Sequence, residues 1–560
     1  MAFLIPVLLW KTALWTGLAS VLSYGLYSGY VVRSRVNRMR KLGLPMPEWS
    51  WLAGHLPILR RYLELYPADT FINIIVTRIA HDLGNKDMFY LDLWPFLEPS
   101  LVVCSPEAAT HVSNRLNLPK PPMYRKMFDP INGGPNILTM NGNEWKYWRT
   151  LFNPGFAPGY LQEQVPSIVD SVEIFCNHLR AKEGTVFRLE DVTTRLTMEI
   201  IMKVVLDLDL NYQKSPHPLA DALRAMISWT SFGNPLNKYH PVRPFILKYY
   251  GNIMNSLIRK ELDKRIVELV NDNANNEPNA RKRSRSVISL TLESYLANQT
   301  SKAERIPMLN EDFAAYATYQ LRLFLFAGHD TTTSVLVYVY HMLHKHPEIL
   351  THVQEEQSSV FGPDVSSVAA QLRDNPSLIN QTPYALAVIK ETMRLLPPAG
   401  SYREGSANVE LTDHEGVRFP TEGCIISLCH HAIHVNPRVW PRVNEFVPER
   451  WLVDSNHELY PPNGGLRAFE QGPRNCLGQN LSLTEVRVAL AMTIRSFRIK
   501  PAYEQWDKIN HVGFPLSALQ TIRVGKTGKN SIDGERAYQI EKGGAHPAGG
   551  YPCTIDSISD

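Results

Sequence analysis

The run LNEDFAAYATYQLRLFLFAGHDTTTSVLVYVYHMLHKHPE, residues 309–348, decides most of what this chain can fold into. Asn310 offers an N-cap, Glu311 and Asp312 suit the first turn, and Pro347 bounds the far end. The roughly 35 residues between read as one helix about 50 Å long, at 1.5 Å per residue. From Leu321 to Val339 it is apolar nearly all round, so it needs neighbours on every side. Such a helix must cross a large domain, and 560 residues can supply one. Helical patterns dominate elsewhere. Short strand-like pieces occur near LVVCS, CIISLC and VGFPLSALQTIRV, so the expected class is mainly α with small β-sheets.

The N-terminus carries a second constraint. Thr12 to Val32 holds no charged residue and is long enough for one transmembrane helix. RSRVNRMRK follows, with Arg33, Arg35, Arg38, Arg40, Lys41 and no acid, which places that flank on the cytosolic side. The expected layout is a membrane anchor over 1–32, a basic, proline-rich hinge over 33–48 containing Pro45 and Pro47, a folded domain over 49–525, and a polar, mobile tail over 526–560. A net charge of +4 gives no case for nucleic-acid binding. The six cysteines lack the dense spacing of a secreted disulfide scaffold. A polar patch, Asn271 to Ser286, reads as a solvated loop.

AGHDTT, residues 327–332, breaks several local rules in the middle of the long helix. Gly328 and the Thr run are poor helix formers, and Asp330 is costly there without partners. Gly328 would let a flat ligand approach, and Thr331 can bond back to a carbonyl one turn earlier. A kink with a satisfied polar pair explains the hexapeptide equally well. His329 is a candidate distal metal ligand, although a histidine packed in a helix groove is commoner. In KETMRLLPPAGSYRE, Glu391 and Arg394 share a helix face that Pro397 and Pro398 end, and FVPERW adds Arg450. Alone, the pair reads as a surface ion pair. Trp145 and Arg149, one turn apart, form a fork suited to carboxylates or one side of an ordinary amphipathic helix. Cys424, Cys429, His430, His431 and His434 look like a zinc set, but the spacing lacks a short C-x2-4-C knuckle and the two cysteines of a strand would point apart.

Phe469, Gly472, Arg474, Cys476 and Gly478 fit F-x-x-G-x-R-x-C-x-G without mismatch. The stretch resembles the haem-thiolate loop of the cytochrome P-450 monooxygenases, and the other motifs follow in that family's order up to about residue 525. The resemblance implies a long central helix over haem b, with Cys476 as axial iron ligand. It implies Asp330 and Thr331 as a proton-delivery pair and Glu391, Arg394 and Arg450 as a structural triad. Trp145, Arg149, Arg403 and Arg474 would bind the haem propionates. Gly472 and Gly478 would let backbone N–H groups reach the sulfur.

The expected activity is insertion of one oxygen atom from O2 into a lipophilic small molecule. The pocket is expected from KPPMYRKMFDPINGG, the helix around Phe324 to Thr332, AGSY and HVGFPLS. With no length left for a flavin domain, electrons are expected from NADPH through a separate membrane-bound reductase at the endoplasmic reticulum. LDLDLNYQ and NPGF are similar to fungal secondary-metabolism members, among them those acting on polyketide-derived anthraquinones in sterigmatocystin-type pathways. The alternatives are a haem-thiolate isomerase or dehydratase that does not use O2, which the Asp330–Thr331 pair disfavours, and a non-enzymatic haem sensor or electron carrier.

Overall fold

The computed structural model of the chain describes residues 4–230, 240–274, 286–297, 309–510 and 529–558. The central helix runs Glu311–Lys345, and the Asn310 side chain accepts from the amides of Asp312 (2.9 Å) and Phe313 (3.2 Å). Between Leu321 and Val339 every residue is buried except Ala327, Gly328 and Thr331. Helix Leu189–Leu206 packs along it, joined by the Thr197 and Thr333 hydroxyls at 2.7 Å. A Cβ on Gly328 would lie 2.6 Å from Ile201 Cδ1. Gly328 therefore admits the neighbouring helix, where a flat ligand was expected.

The strand-like pieces at LVVCS and CIISLC form one sheet in the order Met88–Leu91, Ser100–Val103, Ile425–Leu428, Ser401–Glu404. Ser100–Val103 and Ile425–Leu428 pair in parallel, the other neighbours antiparallel. This sheet fixes Arg403 opposite Ile426. The strand expected at VGFPLSALQTIRV lies outside the described residues, as does the pocket segment HVGFPLS. Of the polar patch, residues 275–285 lie outside them too; its first residues end helix Arg243–Ala274.

Two expectations need correction. The N-terminal helix runs unbroken from Leu4 to Lys41, so the first half of the expected hinge is helical. Arg33 is buried and ion-paired with fully buried Asp92, donates to the Trp94 carbonyl at 3.0 Å and lies over the Trp94 ring. Arg35 reaches the Gly423 carbonyl at 3.3 Å, and Arg40 covers Trp49. A buried carboxylate at Asp92 demands a cation, and this outweighs the solvation that the basic run would enjoy in a hinge. The turn comes later, at Leu42–Leu44, where backbone amides return to Arg38, Arg40 and Met39. Among the described residues no helix is long and apolar enough to cross a membrane.

The C-terminal segment is no loose tail. Gln539–Glu541 and Ala545–Pro547 form a hairpin, and Pro552–Ser557 pairs with Phe497–Pro501 and Phe187–Arg188. Tyr551, Cys553 and Ile555 are wholly buried. The polar composition misled because the hairpin is held by backbone bonds: Ala545 N to Pro398 O (2.8 Å) and Phe71 N to Gln539 O (2.8 Å). Burying a large apolar side chain stabilises by about 1.5–3 kcal/mol. A chain truncated after Gly525 should therefore lose its cooperative thermal transition; an unchanged melting curve by circular dichroism would restore the mobile-tail reading.

Candidate active site

The cysteine loop is built on two turns. Glu470 takes a left-handed conformation (φ 57°) and Gly472 another (φ 76°). A Cβ on Gly472 would stand 2.5 Å from Asn114 Oδ1 and 2.8 Å from the Ser113 carbonyl, so only glycine fits against that neighbouring turn. The Cys476 amide closes the loop on the Phe469 carbonyl at 2.8 Å. Helix Gln479–Thr493 starts directly behind it. The Cys476 side chain is accessible, yet it lies deep enough in the protein for burial to act on its thiol. Burial pushes its thiol up, opposed by the Gly478 amide, the Arg149 guanidinium and the Gln479 amide. A Cβ on Gly478 would stand 4.0 Å from Sγ.

Cations gather around this loop with few acids. Arg149 donates to the Asn475 carbonyl (2.8 Å) and its Oδ1 (2.7 Å), next to Cys476. Arg474 stacks 4.5 Å from the Trp145 ring centroid and donates to the Met140 carbonyl and Asn141 Oδ1. Arg403, fully buried, reaches Ser401 and lies 3.4 Å from Glu470. Lys120, also buried, donates to Ser401 Oγ at 3.0 Å. Burial and then the repulsion of Arg403 and Arg149 lower Arg474 to about 10; burial and Arg403 bring Lys120 well below its usual value. Of these four cations only Arg403 meets a carboxylate among the described residues, Glu470, which also pairs with Arg467. The Nε atoms of Arg403 and Arg474 are buried without a partner.

Behind the loop lies the Glu391 network, fully buried and not at the surface as the isolated pair suggested. Glu391 accepts from Arg394 (2.8 and 3.0 Å), Arg450 Nε (3.0 Å), the Val447 amide (3.1 Å) and the Trp451 indole (3.0 Å). Arg394 continues to the carbonyls of His434, Val443 and Glu445. His434 accepts at Nε2 from the Arg467 amide at 2.8 Å, which ties the network to the cysteine loop.

On the central helix, Thr331 Oγ1 donates to the Ala327 carbonyl at 3.0 Å while the helix stays continuous. The Asp330 carboxylate turns the other way, to the C-terminal hairpin, where it accepts from the Gly544 amide at 2.8 Å. His329 is buried and holds the Leu325 carbonyl at 2.6 Å, the groove packing and not the ligand position. Thr332 links the central helix to Ser482 of the helix behind the cysteine at 3.1 Å. Among the described residues no cluster of His, Cys, Asp or Glu could hold a metal ion. His431 and His434 are engaged individually, with Thr77 and with the Arg394 carbonyl.

The cytochrome P450 family model matches residues 55–521. The chain belongs to the cytochrome P450 family. It is similar to cytochrome P450 monooxygenase polC of Polytolypa hystricis, 39% identical over 542 residues covering 96% of this chain and 93% of the relative. It is 34% identical to cytochrome P450 monooxygenase acrF of Aspergillus aculeatus, over 87% of this chain and 98% of that one. The solved haem domain of cytochrome P450DA has the same fold, with a TM-score of 0.64 at 17% identity, over 92% of this chain and 97% of that one. This P450 is thus a haem monooxygenase, and its family implies haem on a cysteine thiolate. The residues present fit that group: the cation cluster lacks the two carboxylates that propionates would bring.

Sequence reading missed two parts of the site. Lys120, read only as the first residue of the pocket segment KPPMYRKMFDPINGG, joins the cluster. The His434–Arg467 link was hidden inside the rejected zinc set. Breaking a buried charge network by removing one partner costs about 3–5 kcal/mol. Glu391→Ala in this P450 should lower stability by about that much in a urea titration; a midpoint within error of wild type would show the network idle.

Proposed function

We propose that this P450 uses haem held by Cys476 to hydroxylate or otherwise oxidise a lipophilic small molecule, a polyketide or terpenoid, in a fungal secondary-metabolite pathway. The single observation that supports it most is the accessible Cys476 beside an arginine-rich, acid-poor rim. The fungal source of the relatives polC and acrF supports the pathway setting. Arg149, Arg403 and Arg474, with Lys120, would take the propionates, and the Trp145 indole would complete the fork. The bound haem would supply the activation of dioxygen.

The chain's own residues do the rest. The Gly478 and Gln479 amides and Arg149 favour the thiolate form of Cys476. Thr331 and Asp330 hold and deliver protons from the central helix. Helix Met123–Asn132 and the central-helix aromatics Phe324 and Phe326 supply apolar walls, with Phe128 and Phe326 rings 6.2 Å apart. Electrons would come from NADPH through a separate reductase. The N-terminal helix, with exposed Trp10, Leu14, Trp15, Leu18, Val21 and Leu22 and a basic end, would anchor the chain to the endoplasmic reticulum with the domain in the cytosol.

The carbon-monoxide difference spectrum of reduced microsomes tests the ligand. A strongly red-shifted Soret band is expected, lost in Cys476→Ser; its persistence in the mutant would reject Cys476. Thr331→Ala should divert NADPH consumption from product to hydrogen peroxide. Unchanged coupling with a screened substrate would remove Thr331 from proton delivery.

A further inference from the structure

The C-terminal hairpin brings a charged chain to Asp330 that no sequence motif announced. His546 Nε2 lies 3.1 Å from Asp330 Oδ1, and His546 Nδ1 lies 2.7 Å from Glu190 Oε1. Both are close ion-pair contacts and not aligned hydrogen bonds. Lys542 Nζ lies 2.8 Å from Glu190 Oε2. His546, Asp330 and Glu190 are buried, while Lys542 is 43% exposed. The chain therefore runs from solvent to the middle of the central helix. Gly544 lies against the inner end: its amide donates to Asp330, and a Cβ there would stand 3.1 Å from Asp330 Oδ2 and 3.7 Å from Thr331 Cγ2.

We propose that His546 is the proton donor to Asp330 and that Glu190 orients it, so that the C-terminal hairpin supplies the proton that Asp330 and Thr331 deliver. This rests on Asp330 acting in proton delivery. Glu190 keeps a proton on Nδ1, which leaves the transferable one on Nε2. In the step, the Nε2–H bond breaks and an O–H bond forms on Asp330 Oδ1; the imidazolium–carboxylate pair becomes neutral on both sides. Asp330 passes that proton on with Thr331 and returns to carboxylate. One proton from solvent then returns to Nε2 and restores the imidazolium. No electrons move.

The electrostatics agree with the geometry. Burial alone would push the imidazole down, but Asp330 and Glu190 outweigh it and raise it to about 9. Burial would raise Asp330, yet His546 and the Gly544 amide bring it below its usual value. Glu190 is likewise held low by Lys542 and His546 against burial. The other titratable groups facing this chain are His329 of the central helix, which burial lowers, Arg224 from helix Pro218–Ser228, and the phenols of Tyr338 and Tyr503. Because the folded value lies above the ordinary 6.5, the pairing stabilises the fold fully below about pH 6.5 and is lost as pH rises through about 9.

Three variants of the full-length holoenzyme, His546→Gln, Glu190→Gln and Asp330→Asn, test the relay once the carbon-monoxide band shows them folded. Glutamine can donate a hydrogen bond to Asp330 but carries neither the charge nor a transferable proton, so stability is read apart from coupling: a merely structural histidine would lower the melting temperature without diverting NADPH to peroxide. His546→Gln should lower product formed per NADPH by up to about a hundredfold, the lower end of what a positioned acid contributes, with peroxide rising. Wild-type coupling should fall above about pH 9, and that limb should vanish in the variant. An independent readout is the ¹⁵N-histidine resonance of His546 in the wild-type protein, which should titrate near 9 and move toward 6.5 in Glu190→Gln. Wild-type coupling in His546→Gln beside an uncoupled Asp330→Asn would overturn the relay and leave Asp330 in place. Full coupling in Asp330→Asn would remove both. An imidazole neutral at pH 7 would overturn the relay even if every variant failed to fold.

Discussion

The Glu391 carboxylate is the point from which the cysteine side of the molecule is held. It is fully buried, and every acceptor direction is filled: two Arg394 donors, Arg450, a backbone amide and an indole. An ion this deep costs several kcal/mol in lost hydration, so it contributes little net stability over an apolar replacement. What it supplies is definition. Arg394 spends its remaining donors on three carbonyls of the 434–445 stretch, and His434 passes the constraint to the Arg467 amide. The turn at Glu470 and the loop ending at Cys476 follow from there.

Charge around that loop is deliberately unequal. Glu470 serves Arg403, Arg467 and His430, and burial would raise it had not those groups brought it far below its usual range. Lys120, Arg149, Arg403 and Arg474 are left without carboxylates of their own. Burial first, and then the repulsion of neighbouring guanidinium groups, lowers both Lys120 and Arg474. A protein keeps such a cluster only where anions complete it.

The central helix was legible because its signals were local: an N-cap, a boundary proline and an apolar face of unusual length. The cysteine loop was legible because its glycines answer to close backbone approach, which the spacing records. Arg33 and Asp92 were illegible for the opposite reason. They lie 59 residues apart, and nothing near Arg33 announces that a buried acid awaits it. Its run of basic residues therefore read as a solvated hinge. Glu391 and Arg394 read as a surface pair because burial is a tertiary fact; only Arg450 and Trp451, brought in by the 440s turn, make it a core network. The hairpin at 539–547 was missed because composition measures side chains, and this segment works through amides and two glycines.

Asp330 shows how a local violation becomes a tertiary solution. A carboxylate in an apolar helix breaks the rule for its own segment, but the Gly544 amide, His546 and then Glu190 and Lys542 complete it. Two acids and two bases close that network, whereas the cluster around Cys476 has four cations and a shared acid. The contrast has a chemical meaning. The open cluster suits fixed negative charge from a ligand. A closed network can move a proton between its members without changing its own net charge, so it avoids the penalty that a new buried charge would carry. On the reading proposed above, the open cluster suits holding a group in place and the closed network suits moving a proton.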